Sequence, residues 1–184
     1  RAGRDLSDTI DLPTPPTIPP IPRGYVYLPA IGSGKRPTIN GVVRQIFNLM
    51  FEHANQIRLG MEWNNLLAQV ARTRCWSQAH DGWSGHVDPK GYGPNYYVRK
   101  AGYLLPDWYS YEDDANNIES MAHNGDGIPD EVWAGWLASA GHRVHVLGLD
   151  PFYAEQSQVG VGYYYLETSD KRHYWAVISA PQEK

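Results

Sequence analysis

The sequence predicts an α+β fold in which helices pack against an antiparallel sheet. Three observations lead there. Apolar residues recur at three- and four-residue spacing within 40–76 and again within 129–137. Aromatic and β-branched runs with the look of strands take over at 158–166 and 173–180. The helical segments therefore come first and the sheet last, the pattern of an α+β domain. The 184 residues suffice for one well-filled domain and are short for two. With 42% hydrophobic and 20% charged residues, the balance is globular and excludes a wholly disordered chain.

Residues 1–39 form a proline-rich arm. Within it, Leu12 to Pro22 reads LPTPPTIPPIP, six prolines in eleven residues, and proline fixes φ and cannot donate a backbone hydrogen bond. Polyproline II is the expected conformation, either as a stiff spacer or as an arm laid across its own domain or a partner. The folded domain is expected over 40–184. Asn40 is the expected N-cap of a helix running to Leu59, with Val43, Ile46, Phe47, Met50, Ala54 and Ile57 on one face and Gly60 ending it. A second helix is expected from Asn64 to Trp76 on the stripe Leu66, Leu67, Val70 and Ala71. Cys75 reads as a small buried hydrophobe. Residues 77–95, rich in Gly, His and Pro, read as a long loop, a feature more often functional than idle. A short helix is expected over 96–101. Pro129 opens another, with Val132, Trp133, Trp136 and Leu137 inward and Asp130 and Glu131 at the dipole's positive end. The two last runs, joined by the polar residues 167–172, read as a β-hairpin.

Composition narrows the function. A net charge of −4 argues against nucleic acid as a partner, since phosphate binding wants a basic surface. No apolar run approaches the roughly 20 residues of a membrane span. The single cysteine excludes an intrachain disulfide. Seven Trp and thirteen Tyr against three Phe leave amphipathic rings for both a core and a cleft.

Chemistry is sought first at histidine, a good general base near neutral pH and the commonest ligand for zinc-like metals. His86 lies in Gly85-His86-Val87-Asp88-Pro89-Lys90-Gly91, and His142 in Ser139-Ala140-Gly141-His142-Arg143. His145 stands three residues beyond His142, a spacing that can place both on one helical face. Arg143 is expected to bond carbonyls or Asp88. The run Asn124-Gly125-Asp126-Gly127 reads as a turn, because it lacks the remaining acids of a calcium loop. His80 and His123 read as surface residues. Tyr92, Tyr96, Tyr97, Tyr103, Trp108 and Tyr109 surround or follow the His86 loop, where they can either line a cleft or pack the loop.

The order of these pieces is specific. Arg58-Leu59-Gly60-Met61-Glu62-Trp63-Asn64 precedes His86 and its flanks, then Gly102-Tyr103 and Asn116-Asn117-Ile118-Glu119-Ser120. After these come Trp136 to Arg143, Val159 to Tyr163, and Tyr174-Trp175-Ala176-Val177. This set resembles the CAP superfamily (cysteine-rich secretory, antigen 5 and pathogenesis-related proteins), and within it the disulfide-free bacterial branch of SCP-like extracellular proteins. The resemblance covers about residues 40–180. It implies a three-layer α-β-α sandwich with an open cleft lined by two histidines and one or two acids. It also implies that the histidines hold zinc or another divalent metal in some members. His86 and His142 match the two histidines. The acids depart from the pattern: Asn116 stands where the first glutamate belongs, with Glu119 three residues on, and Ser139 stands at the second. On one continuous strand Asn116 and Glu119 would point to opposite faces.

Three functions stand as expectations. The first is a secreted ligand-binding or interaction module whose cleft takes a glycan, lipid or peptide, with a divalent metal at His86 and His142. The second is a metal-dependent hydrolase, with Glu119 as general base to a metal-bound water. The third is a structural surface or adhesion protein. The chain opens on Arg1 without a charged-then-apolar leader, so an export signal is expected to lie outside it. The expected location is extracellular or in the cell envelope.

Overall fold

The computed structural model describes residues 39–182. The proline-rich arm, apart from Ile39, lies outside them, and so does the expectation of polyproline II over Leu12 to Pro22. Helix α1 (Ile39–Phe51) opens the domain, followed by β1 (Glu62–Trp63), α2 (Asn65–Asp81) and α3 (Pro94–Lys100). Next come β2 (Glu119–Asn124), α4 (Pro129–Ala138), α5 (Ala140–Leu147), α6 (Pro151–Ala154), β3 (Gln158–Tyr165) and β4 (His173–Ala180).

The hairpin β3–β4 forms the middle of a four-stranded sheet of order β1-β3-β4-β2, with β2 antiparallel to β4. The expected all-antiparallel sheet is corrected at its other edge, where β1 runs parallel to β3 through Glu62↔Gln158 and Trp63↔Val159. A parallel neighbour needs a long crossover, and every element from α2 to α6 lies between these two strands. At two residues, β1 is too short to show an alternation in sequence.

Strand alternation sorts the core. Tyr174, Ala176, Ile178 and Ala180 of β4 join Leu67, Val70, Ala71 and Cys75 of α2 in one cluster. Trp175 and Val177 join Ile46 and Met50 of α1, Trp136 of α4 and Val146 of α5 in a second. Helices thus cover both faces of β4. On β3 the positions facing α2 are Gly160 and Gly162, where a Cβ would strike the backbone of Leu67–Ala68 and Ala71–Arg72. Their bareness lets α2 lie directly on the sheet.

Two helices end elsewhere than expected. α1 stops at Phe51 rather than Leu59, and it is already running at Ile39, so Asn40 lies inside it. Ala54 and Ile57 keep the helical spacing, but the chain doubles back: Gln56 Nε2 donates to the carbonyls of Met50 (3.1 Å) and Val146 (3.0 Å). Gly60, with φ of 66°, belongs to a turn and not to the helix end. Beside it Arg58 is 5% exposed and donates to the carbonyls of Val146 (2.8 Å) and His145. Burial pushes its pKa down to about 10.

α2 runs five residues past Trp76. Asn64 caps it by accepting from the Leu67 N–H at 3.0 Å, and Gly82, at φ of 69°, ends it in the left-handed region. The expected 77–95 loop therefore shrinks to the segment between Asp81 and Pro94.

Candidate functional site

The site grows from the C-terminal half of α2. Arg74 sits in the apolar stripe between Ala71 and Cys75 and is 2% exposed, so its charge demands a partner. Glu119, the first residue of β2, supplies it. Arg74 Nε donates to Glu119 Oε1 at 2.5 Å, and Arg74 Nη2 to Oε2 at 3.2 Å. The same Nη2 also donates to the His86 carbonyl at 2.6 Å, pinning the returning loop to the helix. His86 closes the cluster, its Nδ1 standing 3.1 Å from Glu119 Oε2.

Burial alone would push the Glu119 carboxyl up. The Arg74 guanidinium and the His86 hydrogen bond outweigh it and hold the carboxyl below its ordinary value. Glu119 is therefore ionised near neutral pH and accepts from the Nδ1–H of His86, which leaves Nε2 as that ring's free nitrogen.

Asn116 and Glu119 separate cleanly. The strand starts at Glu119, so Asn116 lies outside it and the two need not obey strand alternation. Asn116 Oδ1 accepts the N–H groups of Ile118 (3.2 Å) and Glu119 (3.0 Å), while its Nδ2 donates to the Glu119 carbonyl at 3.2 Å. The expected cleft position of Asn116 is thus taken up by a turn that launches β2. No bulge is needed to bring Glu119 to His86.

His142 stands in the first turn of α5, with its ring 6.1 Å from that of His86 at an interplanar angle of 64°. Burial and then the neighbouring His86 lower its pKa, favouring the neutral ring. Ser139 takes the N-cap position of α5 without a side-chain capping bond, and its carbonyl accepts from the Arg143 N–H at 2.8 Å. Arg143 Nη1 bonds the Leu137 carbonyl at 2.8 Å.

His145 does not pair with His142. It is 3% exposed and lies between the hydroxyls of Ser120 (2.7 Å from Nδ1) and Ser179 (2.8 Å from Nε2). Burial, then Arg58, holds its pKa well below the ordinary histidine value.

A cavity of about 550 Å³ opens where the two imidazoles meet. His86, His142, Met121, His123 and Trp136 line it, and neither Asn116 nor Ser139 does. Of the two roles open to the tyrosines, Tyr92 and Tyr97 take the packing of the His86 loop, and no tyrosine among the described residues lines the cavity. Tyr92 and Tyr96 stack at 4.0 Å, Tyr97 bonds Asp88, and Tyr103 and Tyr109 are buried. Residues not anticipated at the site are Arg74, Gln78, His123, Glu131 and Trp136. For Arg74 a signal exists, a cation inside an apolar helical stripe. The other four carry none.

Among the described residues, no group of three His, Cys, Asp or Glu side chains is placed to hold a metal ion. What the structure brings together is two imidazoles, one of them oriented by a buried carboxylate.

No protein-family profile and no curated protein matches the sequence. Among solved structures, the chain is similar to an extracellular protein containing an SCP domain from Bacillus anthracis. That match has 21% identity and a TM-score of 0.56, and covers 76% of this chain and 40% of the other. It is also similar to an outer surface protein from Borrelia burgdorferi, at 16% identity and a TM-score of 0.53, over 76% of this chain and 91% of the other. At these identities the likeness is one of fold, and the fold is SCP/CAP-like. Among the described residues, no helix is long and apolar enough to cross a membrane.

Proposed function

We propose that this chain is an extracellular or cell-envelope CAP-type binding domain, whose cleft holds a ligand against His86 and His142. Helices on both faces of the sheet support reading the layers as an α-β-α sandwich with the cleft at one sheet edge. The observation that carries the proposal is the meeting of two imidazoles, 6.1 Å apart, at the wall of a cavity of about 550 Å³. One of these rings is locked by a buried ion pair. Such a concave site with a few fixed polar groups is the usual form of a binding pocket. The names of the two solved neighbours, an extracellular and an outer surface protein, support the location.

The residues fit a weak, open divalent site rather than a closed one. His86 and His142 would hold zinc or a similar ion, which supplies a Lewis-acid anchor for a ligand oxygen when bound. The carboxylate behind His86 is the arrangement that raises an imidazole's basicity toward a metal. Two protein ligands bind zinc more weakly than three or four.

Glu119 favours binding over hydrolysis. Both its oxygens are engaged, by Arg74 and His86, and its side chain is fully buried. It orients His86 and has no oxygen facing the cavity to take a proton from water.

Calorimetric titration of zinc into wild type, His142→Ala and His86→Ala tests the anchor. Wild type is expected to bind one ion, and each variant to bind at least about tenfold more weakly. Equal heats from all three would assign the binding to adventitious surface groups.

A further inference from the structure

We infer that the outer edge of β2 is a docking edge for an extended peptide segment, which adds to the sheet as a fifth strand inside the cleft. This rests on the reading that the cleft binds a ligand, and it names the ligand's class and its mode of attachment.

Among the described residues, β2 is an outermost strand and pairs only with β4. The Ser179 N–H bonds the Ile118 carbonyl at 2.9 Å, one step before the register pair Glu119↔Ile178. In an antiparallel ladder alternate residues turn their backbone groups to the same side. Residues 118, 120, 122 and 124 therefore face β4, and 119, 121 and 123 face outward.

Glu119 is already satisfied by the Asn116 side chain, and the Met121 carbonyl accepts from Trp136 Nε1 at 3.1 Å. The outward N–H of Met121 and both backbone groups of His123 have no described strand beside them. An edge of this kind is a template for another chain.

The cavity lies on that edge. Four consecutive residues, Met121 to Asn124, line it, so it follows the strand. Its walls come from both sides of the sheet: Gln78 and His86 from α2 and its loop, Val132 and Trp136 from α4. It is a slot between two layers with a strand edge along it.

Two further groups await a partner there. Among the described residues, Gln78 Oε1 and Asn124 Nδ2 are buried without a hydrogen bond, and Gln78 is only 1% exposed. One is an acceptor and the other a donor, which is what a peptide group offers in reverse.

An added strand advances about 3.4 Å per residue, so the 121–124 stretch takes roughly four residues. Its side chains would alternate between Val132 and Trp136 on one side and Gln78 and His86 on the other. The segment it fits alternates apolar and polar residues. Backbone bonding of this kind gives affinity, and the alternate pockets give selectivity.

A capped hexapeptide of alternating valine and threonine serves as the probe, read by amide hydrogen exchange and by histidine ring resonances. In the free protein, the Met121 and His123 amides should exchange at least about tenfold faster than those of Ala122 and Asn124. Adding peptide should slow both by at least about tenfold. His123→Pro deletes an outward N–H without touching the ladder to β4 and should abolish that protection at Met121. His123→Ala keeps the N–H and should retain it. Absence of protection at millimolar peptide overturns the inference. Shifts of the His86 and His142 rings without protection, whether from this peptide or from a chitooligosaccharide, also overturn it while leaving the binding reading intact. The binding reading fails by a different result, zinc heats that ignore both histidines.

Discussion

Arg74 finds its buried counter-charge in Glu119, and without it either charge would be costly to keep inside the fold. The pair lies against the core on one side and holds His86 on the other, so packing and site share the same atoms. Acid acts on this region through three groups with one sign, His145, His142 and Glu119. His145 is held neutral in the fold, so the unfolded chain binds the extra proton once pH falls below the ordinary histidine value of 6.5. Stability is thus lost downward from there until the depressed folded pKa is reached. Glu119 has a lowered folded pKa, so its contribution is present above the ordinary value of 4.5 and fades as pH falls through the folded value. Thermal melts should fall in two steps, the first below about pH 6.5, where His145 and His142 together allow a slope of at most about 2.7 kcal/mol per pH unit. His145→Gln should make the first step shallower, leaving the share due to His142, and should keep the second; an unchanged profile would remove His145 as a cause. His86 and His142 were legible because their flanking residues mark them. The role of Asn116 was not, because it depended on the starting residue of β2, which no local pattern announces.

α2 rests on β3 through an absence of side chains, with Gly160 and Gly162 facing the helix backbone. Gly160→Ala should destabilise the protein by roughly 1–3 kcal/mol, an overpacking cost read from urea denaturation. Replacing the exposed Gly141, where a Cβ would meet nothing within 4 Å, is the comparison that should cost far less. Equal costs at the two positions would show that close packing of α2 is not the cause. The hairpin strands were readable to within a residue, since alternation and the polar connection 167–172 are local properties. The end of α1 was not. Ala54 and Ile57 continue the helical spacing, but Gln56 and Arg58 are claimed by carbonyls of α5, a tertiary competition invisible in the periodicity. β1 was missed for a simpler reason, because two residues carry no period.

At the scale of the whole molecule, two hydrophobic clusters among the described residues share one sheet, and a chain with one cysteine has no disulfide to join them. Cys75 lies at 0% exposure in the α2 cluster, and burial, then Glu119, pushes its thiol pKa well up. Native protein should therefore resist an aromatic disulfide reagent, and the thiol should react only at the rate of global unfolding. Rapid stoichiometric labelling below the melting transition would place Cys75 in a part of the fold that opens alone. The order of motifs along 40–180 pointed to the SCP/CAP-like fold that the solved neighbours share. The parallel edge and the cavity at the opposite edge became visible only with the strands assembled.

Arg58 has a consequence for the cleft although it lies outside it. Its guanidinium holds carbonyls in the last turn of α5, while His142 projects from the first turn. An eight-residue helix is about 12 Å long, one hydrogen-bonded rod from Ala140 to Leu147. A cation at its negative pole is therefore also a mechanical stop. Arg58 thus helps hold, from its far end, the helix that carries His142 into the cavity.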